Sequence, residues 1–106
     1  MTIHYRHLSE SPALTKLVED RKARLAKRHG YLERFEVIIR APHQHSTHGA
    51  AFGCTVEVRT RGHHAVVSKH DDHSRHEDAY ALVRDAFDAI EKQLDHALAG
   101  QRDHRV

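Results

Sequence analysis

A single cysteine, Cys54, stands in a chain of 106 residues. One thiol excludes an internal disulfide and fits a reducing cytosol. No long apolar run is present, so no membrane-spanning helix is expected. The stretch from Met1 to His7 lacks the apolar centre of a signal peptide, and a soluble cytoplasmic protein is expected. There is no glycine-rich phosphate loop and no nucleophile elbow, so the chain is not expected to be an enzyme or to need a cofactor. Tyr5, Tyr31 and Tyr80 are too scattered to form an aromatic stacking platform, and Tyr80 is expected in the core. No internal repeat, second domain or low-complexity linker interrupts the chain.

Excess charge of one sign is also scarce. The chain has 17 Lys+Arg against 15 Asp+Glu, a formal net charge of +2. That total alone does not suggest nucleic acid, but the distribution does. Lys16 to Arg28 holds six basic residues and two acidic ones, whereas Asp71 to Leu98 holds eight acidic and three basic. An early basic helix and a late acidic segment follow. Histidine is abundant, with 13 residues, so mild acidification makes the chain more cationic.

Ile3, Tyr5 and His7 alternate with His4 and Arg6 as in a short strand. Ser11 suits a helix N-cap and Pro12 the first helical position. Leu14, Leu17, Val18, Arg21 and Leu25 then share one helical face, with the Arg21 stem able to lie along the core edge. Lys16, Asp20, Arg24 and Lys27 form the opposite stripe, and Gly30 suits the helix stop. Phe35, Val37, Ile39 and Ala41 alternate with Glu36, Ile38 and Arg40 as a strand that Pro42 ends. Phe52, Cys54, Val56 and Val58 mark a third strand, and Arg59 to Gly62 a turn. Ala65, Val66 and Val67 mark a fourth strand. The last helix, Glu77 to Leu98, carries the apolar stripe Tyr80, Val83, Phe87, Ile90 and Leu94. Arg84, Asp88 and Lys92 stand four apart on its outer side, where they can pair.

The order β-α-β-β-β-α predicts an α+β fold, a four-stranded sheet with two helices packed on one face and an antiparallel meander of the last three strands. The other face, with Glu36, Arg40, Glu57 and Arg59, should be wet. A single domain over 1–99 is expected, with 100–106 a frayed tail.

The segment Asp78-Ala79-Tyr80 through Ala86-Phe87-Asp88 to Glu91-Lys92-Gln93-Leu94 resembles the signature helix of the ribosome hibernation-promoting factors. These are also called ribosome-associated inhibitor A or sigma-54 modulation proteins. The Pro42-His43-Gln44-His45 loop and the His76-Glu77-Asp78-Ala79-Tyr80 helix start are similar to one bacterial branch of that family, and the likeness extends over most of the chain. Many relatives have basic residues where Asp95, His96, Ala97 and Leu98 stand, and often an apolar residue at the place of Lys22. The resemblance implies a double-stranded-RNA-binding-domain-like fold. It also implies binding to rRNA of the small ribosomal subunit in the decoding channel, with repression of translation in stress or stationary phase. The chain looks like a short form without the C-terminal dimerisation domain, a monomer when off the ribosome.

The residues expected to meet rRNA phosphates are Lys16, Arg24, Lys27 and Arg28, then Arg59, Arg61, Lys69, Arg84 and Lys92. The plainer alternative is a solvated helix face. The outer face of the last helix shows Asp85, Asp88, Glu91 and Asp95, so the first helix and the strands must supply most of the grip on RNA. Among the histidines, His43, His45 and His48 share one loop, His70, His73 and His76 another, and His63 and His64 adjoin a turn. His43, His45, His73 and His76 are the metal-binding candidates of an alternative reading, a histidine-rich metal-binding or protein-binding module on the same fold. A further reading is that protonated imidazoles supply missing positive charge, so that ribosome affinity rises as pH falls from about 7.5 to 6. His76-Glu77-Asp78 invites acid-base chemistry, but a helix start with carboxylates near its dipole explains it more simply.

Overall fold

A computed structural model of the chain describes residues 2–41, 52–70 and 79–103. Its elements are β1 (Thr2–Arg6), α1 (Pro12–His29), β2 (Arg34–Arg40), β3 (Gly53–Thr60), β4 (His63–His70) and α2 (Ala79–Asp103). The order is the expected one, and the sheet order follows the chain, β1-β2-β3-β4. β2, β3 and β4 form the antiparallel meander. β1 lies parallel to β2, because α1 carries the chain back to the starting end of the sheet.

Local chemistry sets the ends of α1. Ser11 Oγ accepts from the Leu14 N–H at 3.2 Å, and Pro12 follows where no N–H is needed. Gly30 stops the helix at φ 89°, its N–H donating to Ala26 O at 2.8 Å. The Thr60 hydroxyl lies 2.9 Å from Tyr31 O and 3.3 Å from His29 O, bringing a donor to the carbonyls that end the helix. Arg61 and Gly62, both at positive φ, make the two-residue turn between β3 and β4.

Strand alternation divides the sheet. Phe35, Val37, Ile39, Cys54, Val56, Val58, Ala65 and Val67 face the helices and are buried. They meet Leu14, Leu17, Val18 and Leu25 of α1 and Val83, Ala86, Phe87, Ile90 and Leu94 of α2. The Phe35 and Phe87 rings stack with centroids 6.0 Å apart. Lys22 sits at this edge with its ammonium 5.6 Å from the Phe35 ring centroid, so its apolar stem replaces the apolar side chain expected there. Burial raises the Cys54 thiol pKa to about 12, which makes it an inert core group.

Three expectations need correction: the place of Tyr80, the place of Glu91 and the end of α2. Tyr80 belongs to the apolar stripe by spacing but is 46% exposed. It lies in the first turn of α2, where side chains tilt toward the helix start and so past the sheet; Ala79 and Leu82 pack there instead. Val66 points to the open face and is exposed. Glu91, placed on the outer face by spacing, is buried between the helices. α2 continues past Leu98 to Asp103. No helix among the described residues is long and apolar enough to cross a membrane.

Candidate nucleic-acid interface

The two helices lie side by side and run the same way. Arg21 Nη1 donates to Asp88 Oδ1 at 2.9 Å, and Arg28 Nε donates to Asp95 Oδ1 at 2.9 Å. Each pair is separated by 67 residues, and Arg24 and Glu91 keep the same spacing. A constant offset arises only when parallel helices advance in step. Arg24 Nε lies 2.9 Å from Glu91 Oε1, an ion contact without the alignment of a hydrogen bond. Arg21 also reaches Glu91 Oε2 at 3.6 Å.

This ladder changes the reading of both charged stripes. Arg24 turns toward α2 rather than away from it. Asp88 pairs with Arg21, and no ion pair joins it to Arg84 or Lys92 among the described residues. The α2 carboxylates at 88, 91 and 95 are matched to arginines, so they do not present an open acidic face. Arg21 and Glu91 are nearly enclosed, with side chains 13% and 11% exposed. Arg24 and Arg28 are only half covered, at 59% and 57%. A guanidinium carries five N–H donors, and a single Nε contact leaves the Nη groups to point outward.

Of the expected phosphate-binding residues, Arg24, Arg28, Lys69 and Lys92 border one groove of about 480 Å³ together with Asp88, Glu91 and Asp95, and the others lie apart from it. Arg24, Lys27 and Arg28 gather at the C-terminal end of α1. Arg61 joins them from the β3–β4 turn, its guanidinium lying over Gly30 at 3.3 Å from where a Cβ would stand. Cations suit this end, where the helix dipole is negative. Lys16 lies on α1 about 18 Å from Arg28 along the axis and pairs with Asp20 at 3.7 Å. Arg84 and Lys92 are exposed on α2; Lys92 borders a groove of about 870 Å³ between α2 and the start of β4, with His63, Gln93 and His96. Lys69 is at the far end of β4 on the helix side, opposite Cys54 in register. Arg59 is on the open face of the sheet, away from the helices.

His29 is buried in the cationic end, with Nε2 3.1 Å from Asp95 Oδ1. Burial lowers its pKa below the ordinary value, and Arg28 and Arg61 push the same way against the pull of Asp95 and Glu91. On the open face, Arg34 donates to Glu36 at 2.8 Å and to Glu57 at 3.1 Å, and His64 also bonds Glu57. The hydrogen bonds from His64 and Arg34 hold the Glu57 carboxyl below the usual range.

Sequence reasoning missed Arg21 and Glu91 as a buried pair; the signal was an arginine in an apolar row. Of the metal candidates, His43, His45, His73 and His76 lie outside the described residues, as do His48 and the His76-Glu77-Asp78 segment. Among the described residues no group of three or more His, Cys, Asp or Glu side chains could hold a metal ion.

The fold is shared with solved structures. A ribosomal subunit interface protein from Coxiella burnetii superposes with a TM-score of 0.66 at 19% identity, covering 93% of this chain and 99% of that one. The N-terminal domain of Protein Y from Thermus thermophilus gives 0.64 at 20% identity, covering 90% and 93%. No curated protein sequence matches. The family model described as sigma 54 modulation protein / S30EA ribosomal protein matches residues 1–100. The chain therefore belongs to the sigma 54 modulation protein / S30EA ribosomal protein family, a non-enzymatic family of ribosome-binding proteins.

Proposed function

We propose that this protein binds the small ribosomal subunit in the cytoplasm, with rRNA phosphates in the decoding channel as its main contacts, and so represses translation during stress or stationary phase. Family membership over residues 1–100 is the observation that carries this reading. The geometry adds a physical route. Arg24 and Arg28 are held at one edge by α2 carboxylates while their outer edges remain open. Held guanidiniums lose less conformational freedom on meeting a phosphate than free ones. Lys27 and Arg61 widen that surface, Lys69 and Lys92 border the same groove as Arg24 and Arg28, and Lys16, Arg84 and Arg59 are outlying contacts. Binding of this kind reads backbone and shape rather than base identity. Off the ribosome the protein is a monomer.

Reversing charge at Arg24 and Lys27 (Arg24→Glu, Lys27→Glu) tests the reading. Cosedimentation with purified small subunits is expected to be lost, while circular dichroism shows a folded domain. Lys16→Glu with Lys27→Glu, which touches no interhelical pair, is expected to weaken binding without moving the melting temperature. Cosedimentation retained by both variants rules out α1 as the binding surface.

A further inference from the structure

The open face of the sheet has two ends of different character. Toward the start of β2, Arg34, Glu36, Glu57 and His64 neutralise one another. Toward the other end, the register sets Arg6, Arg40, Gly53 and His70 in one row across all four strands. Strand spacing makes that row about 14 Å wide. No carboxylate pairs with Arg6, Arg40 or His70 among the described residues. Two guanidiniums on neighbouring strands repel, and nothing in the row offsets that repulsion.

Gly53 shapes the centre of the row. A Cβ there would lie 3.2 Å from Arg40 Nε and Nη2 and 3.3 Å from His70 Nδ1. The guanidinium and the imidazole therefore converge over bare backbone that any side chain would displace. Arg40 Nη2 donates to Thr55 Oγ1 at 3.2 Å, and Thr55 shares a 2.8 Å hydrogen bond with Ser68. Neutral hydroxyls thus orient Arg40 and leave its charge uncancelled. A fixed guanidinium beside an imidazole, with a second arginine across the neighbouring strand, matches an oxyanion with several acceptor oxygens.

We propose that the row Arg6, Arg40, Gly53 and His70 on the open sheet face is a binding site for phosphate groups. The row is wider than one phosphate, which favours a phosphodiester strand of RNA lying across β1 to β4 over a free phosphate. It is on the opposite side of the sheet from α1, so it is independent of the α1 surface and would give the protein a second nucleic-acid contact.

Nuclear magnetic resonance of the full chain tests the site through the Arg40 Nε–H and His70 ring signals. The probes are inorganic phosphate and, separately, an unstructured ten-nucleotide RNA. Both are expected to shift the signals, the RNA at lower concentration. Arg6→Gln with Arg40→Gln is expected to abolish the His70 response and to lower the slope of log affinity for RNA against log salt by about 1.4, at ~0.7 per phosphate contact. Arg6→Gln alone serves if the double variant loses its core methyl signals. Lys16→Glu with Lys27→Glu is expected to leave the His70 response intact, which separates this site from the α1 surface. A response to inorganic phosphate alone supports the site and assigns it to free phosphate. No response to either probe, or an equal His70 response in the Arg6 and Arg40 variant, overturns the proposal.

Discussion

The seam between α1 and α2 and the Arg6–Arg40 end of the sheet both gather arginines, and the molecule treats them in opposite ways. In the seam every arginine meets a carboxylate one helix away, at a constant offset along the chain. On the sheet Arg40 meets the Thr55 hydroxyl and the bare backbone of Gly53, with Arg6 opposite it in register. The seam arginines therefore contribute to the fold first and to an anion second. The sheet arginines contribute little to the fold and leave their charge for a ligand. The number of basic residues in a segment does not measure what it offers to RNA; the partners supplied by the register do.

The largest expected effect comes from breaking the buried part of the seam. Arg21→Ala removes the more enclosed of the two cations beside Glu91 and leaves it only Arg24 at 2.9 Å, and a stability loss of about 2 kcal/mol is expected in urea unfolding. Arg40→Ala on the sheet face should change stability by no more than about 0.5 kcal/mol. Equal losses at the two positions would erase the contrast between the regions.

Protonation of His29 probes the same seam more gently. Burial holds its pKa below 6.5, so the folded form takes up a proton less readily than the unfolded chain. Its contribution to stability is then complete above about pH 6.5 and is lost as pH falls through that value toward the folded pKa. The urea midpoint should fall between pH 7.5 and 5.5, and His29→Phe should flatten that decline. Acidification would thus loosen the end of α1 while adding positive charge elsewhere, opposing effects on RNA binding that the variant separates. A midpoint independent of pH in the parent protein would place the imidazole in water.

The smallest effect belongs to the half-exposed rung. A double-mutant cycle with Arg28→Ala and Asp95→Ala should give a coupling of about 0.5 kcal/mol, weakening as salt is raised. A coupling several times larger would mean that this rung is as dry as Arg21–Glu91.

Much of the fold was legible along the chain. Ser11, Pro12 and Gly30 bound α1 by local backbone chemistry, and Val37, Ile39, Val56 and Val58 declare a one-sided sheet by alternation alone. The two-residue turn at Arg61 and Gly62 follows from the same local rules. The interface was legible only as a pool of basic residues. Arg24 seemed by spacing to oppose the core, and Glu91 seemed to be exposed. Which of the two helical faces a residue joins depends on where the second helix lies, and spacing within one helix does not contain that. Arg40 was visible only as a residue of the wet face and Arg6 only as an alternating residue of the first strand, because their adjacency needs the parallel pairing of β1 with β2.

The last helix divides the same way. Its family signature, its period and its buried stripe from Val83 to Leu94 are properties of the amino-acid sequence, because hydrophobic spacing and local hydrogen bonding act within one segment. Only the tertiary structure decides that Asp88, Glu91 and Asp95 face α1. That outcome depends on two segments far apart in the chain advancing in step, so that charges 67 positions apart meet.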